Sequence, residues 1–240
     1  MRDFYEMEKE QKKQGGRRII LVGDSTMCDY SVSQYLRNLA PQEGWGMHLQ
    51  SKCRKNTEVV NCASAGRSTK SFEKEGLWKQ AVEKIGKDDF VVIGMAINDA
   101  WHAEGKTSLN GEFEGNLKRW IAEVRKKKGI PVLTTSTVLW KKTGRKYYTG
   151  IMRKYNQAIL DTASACHADG VDLCTHAFRK LKVMPNEDVC QMYMATSELP
   201  QKKGKDFCHF KGIGAEFYAE LFVQLCKRKK LRIGEMFLSD

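Results

Sequence analysis

Five short apolar runs, separated by stretches of helical spacing, constrain the fold of this 240-residue chain more than any other feature. They are Ile19–Ser25, Glu58–Ala63, Asp89–Ile97, Ile130–Thr135 and Gly170–Leu173. Each has strand length, and the third is almost wholly apolar, as expected of a strand covered on both faces. Between them, Phe113, Leu117, Trp120, Ile121 and Val124 fall on one helical face, and Gly129 stops that helix near Lys128. The same reasoning predicts one helix from the Gly66–Phe72 loop to about Ile85, another over Tyr147–His167 and a last over Gly212–Lys229. Residues 30–53 read as partly helical, and residues 175–205 as short helices and loop. Strands alternating with helices imply α/β architecture, a parallel sheet with helices on both faces. No repeat, low-complexity segment or composition break divides the chain. The expectation is one domain over residues 17–240, preceded by a charged, loose arm over residues 1–16.

Lys and Arg number 41 against 29 Asp and Glu, a net charge of +12. Such a surface favours anionic partners. The local runs Arg125–Lys128 and Lys227–Lys230 fall at predicted helix ends, where the helix dipole favours cations. No aromatic-interleaved RNA motif and no zinc-finger spacing appears, which argues against nucleic acid as a partner. No G-x-G-x-x-G follows the first strand, which argues against a dinucleotide. No apolar stretch reaches membrane-span length, so no membrane partner is expected. Residues 1–18 lack an apolar signal core; the expectation is a cytoplasmic protein, or a secreted one if a leader was removed beforehand. The eight cysteines are scattered with no C-x-x-C pair, which argues against a metal site or redox dithiol. They read as buried thiols, with one or two disulfides left open. Oligomeric state is not legible.

What the strand ends carry points to chemistry. In an open α/β sheet, ligands bind outside the carboxyl ends of the strands. The first run ends in Gly23–Asp24–Ser25–Thr26, the second leads into Gly66, and the third ends in Asn98–Asp99. Asp206 and His209 follow just before the last helix. On residue type, Ser25 serves as nucleophile, His209 as general base and acid, and Asp206 as the carboxylate that orients the ring. Backbone N–H groups of Ser25 and Gly66 and the side-chain amide of Asn98 serve as donors to the oxyanion. Glycine at position 66 permits close approach. No cofactor is called for.

These blocks resemble the SGNH, or GDSL-type, hydrolases, whose named residues are Ser, Gly, Asn and His. Within that superfamily the chain is similar to the rhamnogalacturonan acetylesterase branch from about Arg18 to Leu225. The similarity lies in Gly23–Asp24–Ser25–Thr26, Gly44–Trp45–Gly46, Gly66–Arg67–Ser68–Thr69–Lys70–Ser71–Phe72, and Asp206-x-x-His209 followed by Gly214–Ala215. It implies a three-layer α/β/α sandwich with five parallel strands, no metal, and removal of acetyl groups from a pectic polysaccharide. One departure is visible: Ala96–Ile97–Asn98–Asp99 stands where the family usually reads Gly-His-Asn-Asp.

Other residues carry weaker expectations. Arg67 suits a bidentate pair with a substrate carboxylate or a structural ion pair, and Trp101 a wall of the substrate pocket. Asp24 and Asp99 read as turn residues. Cys190 is the nearest suggestion of a partner for Cys208. His48, His102, His167 and His176 read as structural. Two alternatives stand beside the pectic acetylesterase. One is an esterase or lipase acting on another acetylated sugar or small ester. The other is a non-catalytic binder of an acidic polysaccharide.

Overall fold

The computed structural model describes residues 17–101, 104–140 and 150–239. The arm expected over residues 1–16, His102 and the start of the helix expected from Tyr147 lie outside them. The chain runs β1 (Arg18–Gly23), α1 (Gln34–Arg37), β2 (Gln42–Glu43), β3 (Glu58–Asn61), α2 (Thr69–Lys74), α3 (Leu77–Lys84), β4 (Phe90–Gly94), α4 (Ile97–Trp101), α5 (Glu112–Lys126), β5 (Ile130–Thr134), α6 (Ile151–Ala165), β6 (Asp169–Val171), α7 (Leu173–Leu181), α8 (Asn186–Gln191), β7 (Phe210–Lys211) and α9 (Gly212–Arg228).

The five expected strands form one sheet in the order β3-β1-β4-β5-β6, with every pairing parallel. Side chains alternate across it. Ile19 and Leu21 of β1 join Phe90, Val92, Val132 and Val171 in a core completed by Leu173 and Cys174 of α7 and Tyr218 and Phe222 of α9. Ile20 and Val22 join Val91, Ile93 and Leu133 in a second core against α2, α3, α5 and α6. These two cores make the three-layer α/β/α sandwich. Large side chains such as Phe113, Leu117 and Trp120 of α5 are fully covered, each worth about 1.5–3 kcal/mol of transfer free energy.

Local details differ from the sequence reading. The single helix expected up to Ile85 is two, α2 and α3, broken where Gly76 takes the left-handed conformation at φ 74°. A two-residue antiparallel pair, β2 with β7, stands apart from the main sheet; Glu43 pairs with Phe210. All eight cysteines are free thiols, so the suggested Cys190–Cys208 pairing is not formed. His48 is structural as expected, and the partners invisible in sequence are Glu43 at 2.6 Å and Glu216 at 2.7 Å, which tie the start of α9 to the β2 region.

The connection after β1 leads to β3 on one side, and that after β4 to β5 on the other. Their divergence opens a crevice at the carboxyl ends of β1 and β4, where such folds bind ligands. Ser25 follows β1, and Asn98 lies in the first turn of α4 after β4.

Candidate active site

The turn after β1 is held from within. The Asp24 side chain accepts the Thr26 N–H at 2.9 Å and the Thr26 hydroxyl at 2.8 Å, while its carbonyl accepts from Met27 and Cys28. Asp24 is thus the turn residue expected, buried under the loop. Gly44 lets the following loop lie directly on this turn, since a Cβ there would sit 2.2 Å from the Cys28 carbonyl oxygen. Trp45 N–H donates to the Thr26 carbonyl at 2.9 Å, and the Tyr30 hydroxyl donates to the Ser25 carbonyl at 3.0 Å. Gln42 in turn donates to Tyr30. Ser25 is held in this frame with its hydroxyl toward the crevice.

The Ser25 hydroxyl lies 2.9 Å from His209 Nε2. His209 Nδ1 faces both Asp206 oxygens, at 3.0 and 2.9 Å. Three residues suffice to fold the carboxylate back onto the ring because Asp206 Oδ1 also accepts the backbone N–H of Cys208 at 3.1 Å and of His209 at 3.0 Å. Burial acts to raise the Asp206 carboxyl, but the hydrogen bond to His209, the charge of that ring when it is protonated, and the Lys202 ammonium outweigh it, and the group is held below the usual carboxylate range. An ionised carboxylate accepts only. The network therefore assigns the proton to Nδ1 and leaves Nε2 to accept from Ser25.

Ser64 N–H donates to the Gly23 carbonyl at 3.0 Å, which brings residues 64–67 alongside the Ser25 turn. Gly66 adopts φ 79°, a conformation that favours glycine, and a Cβ there would project into open space. Asn98 Nδ2 donates to the Arg67 carbonyl at 3.0 Å, and a primary amide carries a second N–H. Ile97, in place of the expected His, lies in the apolar core. The bond to the Arg67 carbonyl orients the Asn98 amide without a polar neighbour at position 97. Ser25, Gly66, Asn98 and His209 line one cavity of about 510 Å³, walled on its outer side by Val32, Tyr35, Leu36 and Leu39.

Arg67 also lines the cavity, but its guanidinium is engaged with Glu75 at 2.7 and 2.9 Å and with the Ala65 carbonyl. Of the two readings for it, the ion pair within the protein is the one formed. Trp101 is 54% exposed at the end of α4 and is not among the lining residues. The exposed aromatic at the mouth is Tyr35 instead. The sequence offered no sign of this, because residues 30–42 carry neither strand nor strong helical periodicity. Lys202, also in the lining, was missed for a different reason: it is one of three lysines just before Asp206.

Asp99 is more than a turn residue. Fully buried, it accepts the Thr69 N–H and hydroxyl and the Thr107 hydroxyl, clamping α4 to α2. Burial outweighs these bonds and pushes its carboxyl up to about 6 from 3.8. The folded state then holds this proton more tightly than the unfolded chain. The stability tied to it is present below about pH 4 and lost as pH rises toward about 6. Relative to Asp99→Asn, the wild type should lose about 3 kcal/mol across that window in urea unfolding. Parallel pH profiles of the two proteins would contradict this.

Among the described residues, no group of three or more His, Cys, Asp or Glu side chains is placed to hold a metal ion. Among them, too, no helix is long and apolar enough to cross a membrane.

A model of the GDSL-like lipase/acylhydrolase family matches residues 21–210, a span that runs from β1 past His209. The chain belongs to this family. The resemblance read from the sequence blocks is borne out, as is the α/β fold. A probable rhamnogalacturonan acetylesterase of Bacillus subtilis is 28% identical over 228 residues, covering 92% of this chain and 98% of the relative. A solved Bacillus subtilis protein superposes with TM-score 0.75 at 24% identity, over 90% of this chain but only 58% of its own length. The acetylxylan esterase Axe2 of Geobacillus stearothermophilus superposes with TM-score 0.62 at 16% identity, over 88% of this chain and 94% of that one. At those identities the two structures bear on the fold of this family member and not on its substrate.

Proposed function

We propose that this chain is a serine esterase that removes O-acetyl groups from a pectic polysaccharide of the rhamnogalacturonan type. The observation that carries the reaction is the relay from Ser25 Oγ to His209 Nε2 at 2.9 Å and from Nδ1 to Asp206. Ser25 Oγ attacks the acetyl carbonyl carbon while His209 Nε2 takes its proton. The oxyanion of the tetrahedral intermediate is met by the N–H groups of Ser25 and Gly66 and the free N–H of Asn98. His209 then returns the proton to the departing sugar oxygen, leaving an acetyl ester on Ser25. Water then gives a proton to the same ring as its oxygen attacks the acetyl carbon; the bond to Ser25 Oγ breaks, Oγ takes the proton back from the ring, and acetate leaves.

The alcohol side of the ester lies toward the open outer wall of Val32, Tyr35, Leu36 and Leu39, where a sugar has room. The choice of a pectic polymer is supported by likeness to a probable rhamnogalacturonan acetylesterase along nearly its whole length and by the net charge of +12, which suits a polyuronate. The same charge motivates a binding-only reading, which the aligned relay disfavours. The test is acetate release from acetylated rhamnogalacturonan, acetylated xylan and p-nitrophenyl acetate. The expected order has the pectic polymer ahead of xylan. Xylan turned over as fast or faster would contradict the pectic assignment. Salt-dependent binding with no acetate released from any of the three would favour the binder.

Removing one oxyanion donor typically costs 10²–10³ in kcat. Asn98→Ala is expected to lose about that much with KM little changed. A loss confined to KM would instead place the amide in substrate binding.

A further inference from the structure

Three lysines precede the candidate triad acid, and only one turns inward. Lys203 pairs with exposed Glu198 at 2.9 Å, and Lys205 is exposed. Lys202 is 17% exposed and sits 2.5 Å from Asp206 Oδ2. Its ammonium is also 3.4 Å from His209 Nδ1. The backbone fixes this arrangement, since Asp206 N–H donates to the Lys202 carbonyl at 2.9 Å and Lys202 N–H to the Leu199 carbonyl at 2.9 Å. The two side chains therefore share one side of a single turn. The Asp206 carbonyl in turn accepts the Ala195 N–H at 2.7 Å, which pins the turn to the body of the protein.

Asp206 is thus a carboxylate between an ammonium and an imidazole, not a carboxylate facing one ring. Oδ1 takes the backbone N–H groups of Cys208 and His209, Oδ2 takes Lys202, and Nδ1 reaches both oxygens. We propose that Lys202 is a positioning residue of this site: it anchors the Asp206 carboxylate against rotation and, by sharing its charge, weakens the hold of that carboxylate on a protonated ring. The proposal rests on the reading of His209 as general base and acid. An ammonium beside the ring disfavours a second proton on it while the enzyme waits for substrate. It also makes the protonated ring a readier donor to the sugar oxygen, a poor leaving group without a proton.

Among the described residues, no other charge around the ring has this position. Besides Asp206 and Lys202, the Ser25 hydroxyl and Asp24 under the β1 turn act on His209 among the described residues, and Cys208 precedes it in the chain. Burial pushes both the Asp24 carboxyl and the Cys208 thiol up, toward their uncharged forms. Arg67, across the cavity, is paired with Glu75.

The test compares pH profiles of kcat/KM on p-nitrophenyl acetate and on acetylated rhamnogalacturonan for wild type, Lys202→Met, Lys202→Gln and Lys202→Arg. Thermal melting monitors the fold of each. Removing the charge is expected to move the acid limb to higher pH by about one unit or more on both substrates, with KM little changed. Lys202→Arg is expected to keep the wild-type limb. If Lys202→Met fails to fold, Lys202→Gln decides. An acid limb that stays put in the neutral variants overturns the proposal. So does a KM rise confined to the uronate-bearing substrate with the limb unmoved, which would make Lys202 a reader of substrate carboxylate. Wild-type turnover that survives in Ser25→Ala would instead remove the triad reading on which this proposal stands, so the two failures are distinct.

Discussion

Ser25→Ala is expected to lower kcat on an acetyl ester by roughly 10⁴- to 10⁶-fold while the protein stays folded. The size of the loss follows from the site's construction. Among the cavity-lining residues, Ser25 holds the hydroxyl 2.9 Å from His209 Nε2 and therefore the one activated by that ring. The residual rate would come from the oxyanion donors and from binding. The fold should survive because the turn is held by other atoms: Asp24 caps Thr26, and Tyr30 donates to the backbone carbonyl of Ser25, not its side chain. Circular dichroism with an unchanged melting transition is the control. A folded variant that keeps a large share of the wild-type rate would mean that chemistry occurs elsewhere.

Asp206→Asn is expected to cost about 10⁴ in kcat, nearly all of it through the ring's tautomer. The amide oxygen would remain in demand from the Cys208 and His209 N–H groups. That places the amide nitrogen, now a donor, toward Nδ1 and the Lys202 ammonium. Nδ1 must then accept, so Nε2 carries the proton and is unable to take one from Ser25. Leaving Lys202 opposite a neutral amide adds an uncompensated charge. The loss should fall on kcat with KM little changed. A variant within tenfold of wild type would show that the carboxylate is not needed to set the tautomer.

Much of this arrangement was legible in the sequence because it depends on periodicity and on strand ends. Ile19–Val22, Phe90–Ile93 and the Phe113–Val124 face announce themselves by apolar spacing, and the sheet they form brings Ser25, Gly66 and Asn98 to one edge by topology alone. Asp206 and His209 were legible because a carboxylate three residues before a histidine needs only one turn to reach it. What was not legible depends on single conformations or on distant partners. Gly76 breaks a helix whose apolar pattern continues across the break. Strands β2 and β7 are two residues long and leave no pattern. Asp99 becomes a buried clamp only once Thr69 and Thr107 are brought to it. Arg67 stands in sequence between a substrate carboxylate and an internal ion pair, and only the approach of Glu75 decides between them. Tyr35 and Trp101 exchange places as the aromatic at the cavity mouth, because α4 ends away from the cavity while residues 30–42 fold over it.

In the proposed mechanism Ser25 carries the acetyl group between the two halves of the reaction. Its most direct measurement is trapping that intermediate. Enzyme mixed with p-nitrophenyl acetate is quenched in acid within the first turnovers, digested and mapped by mass spectrometry. The expected result is a single acetyl group on the peptide bearing Ser25, present in wild type and absent from Ser25→Ala. An acetyl group on another residue that forms and decays at the rate of turnover, or full turnover in Ser25→Ala, would contradict it.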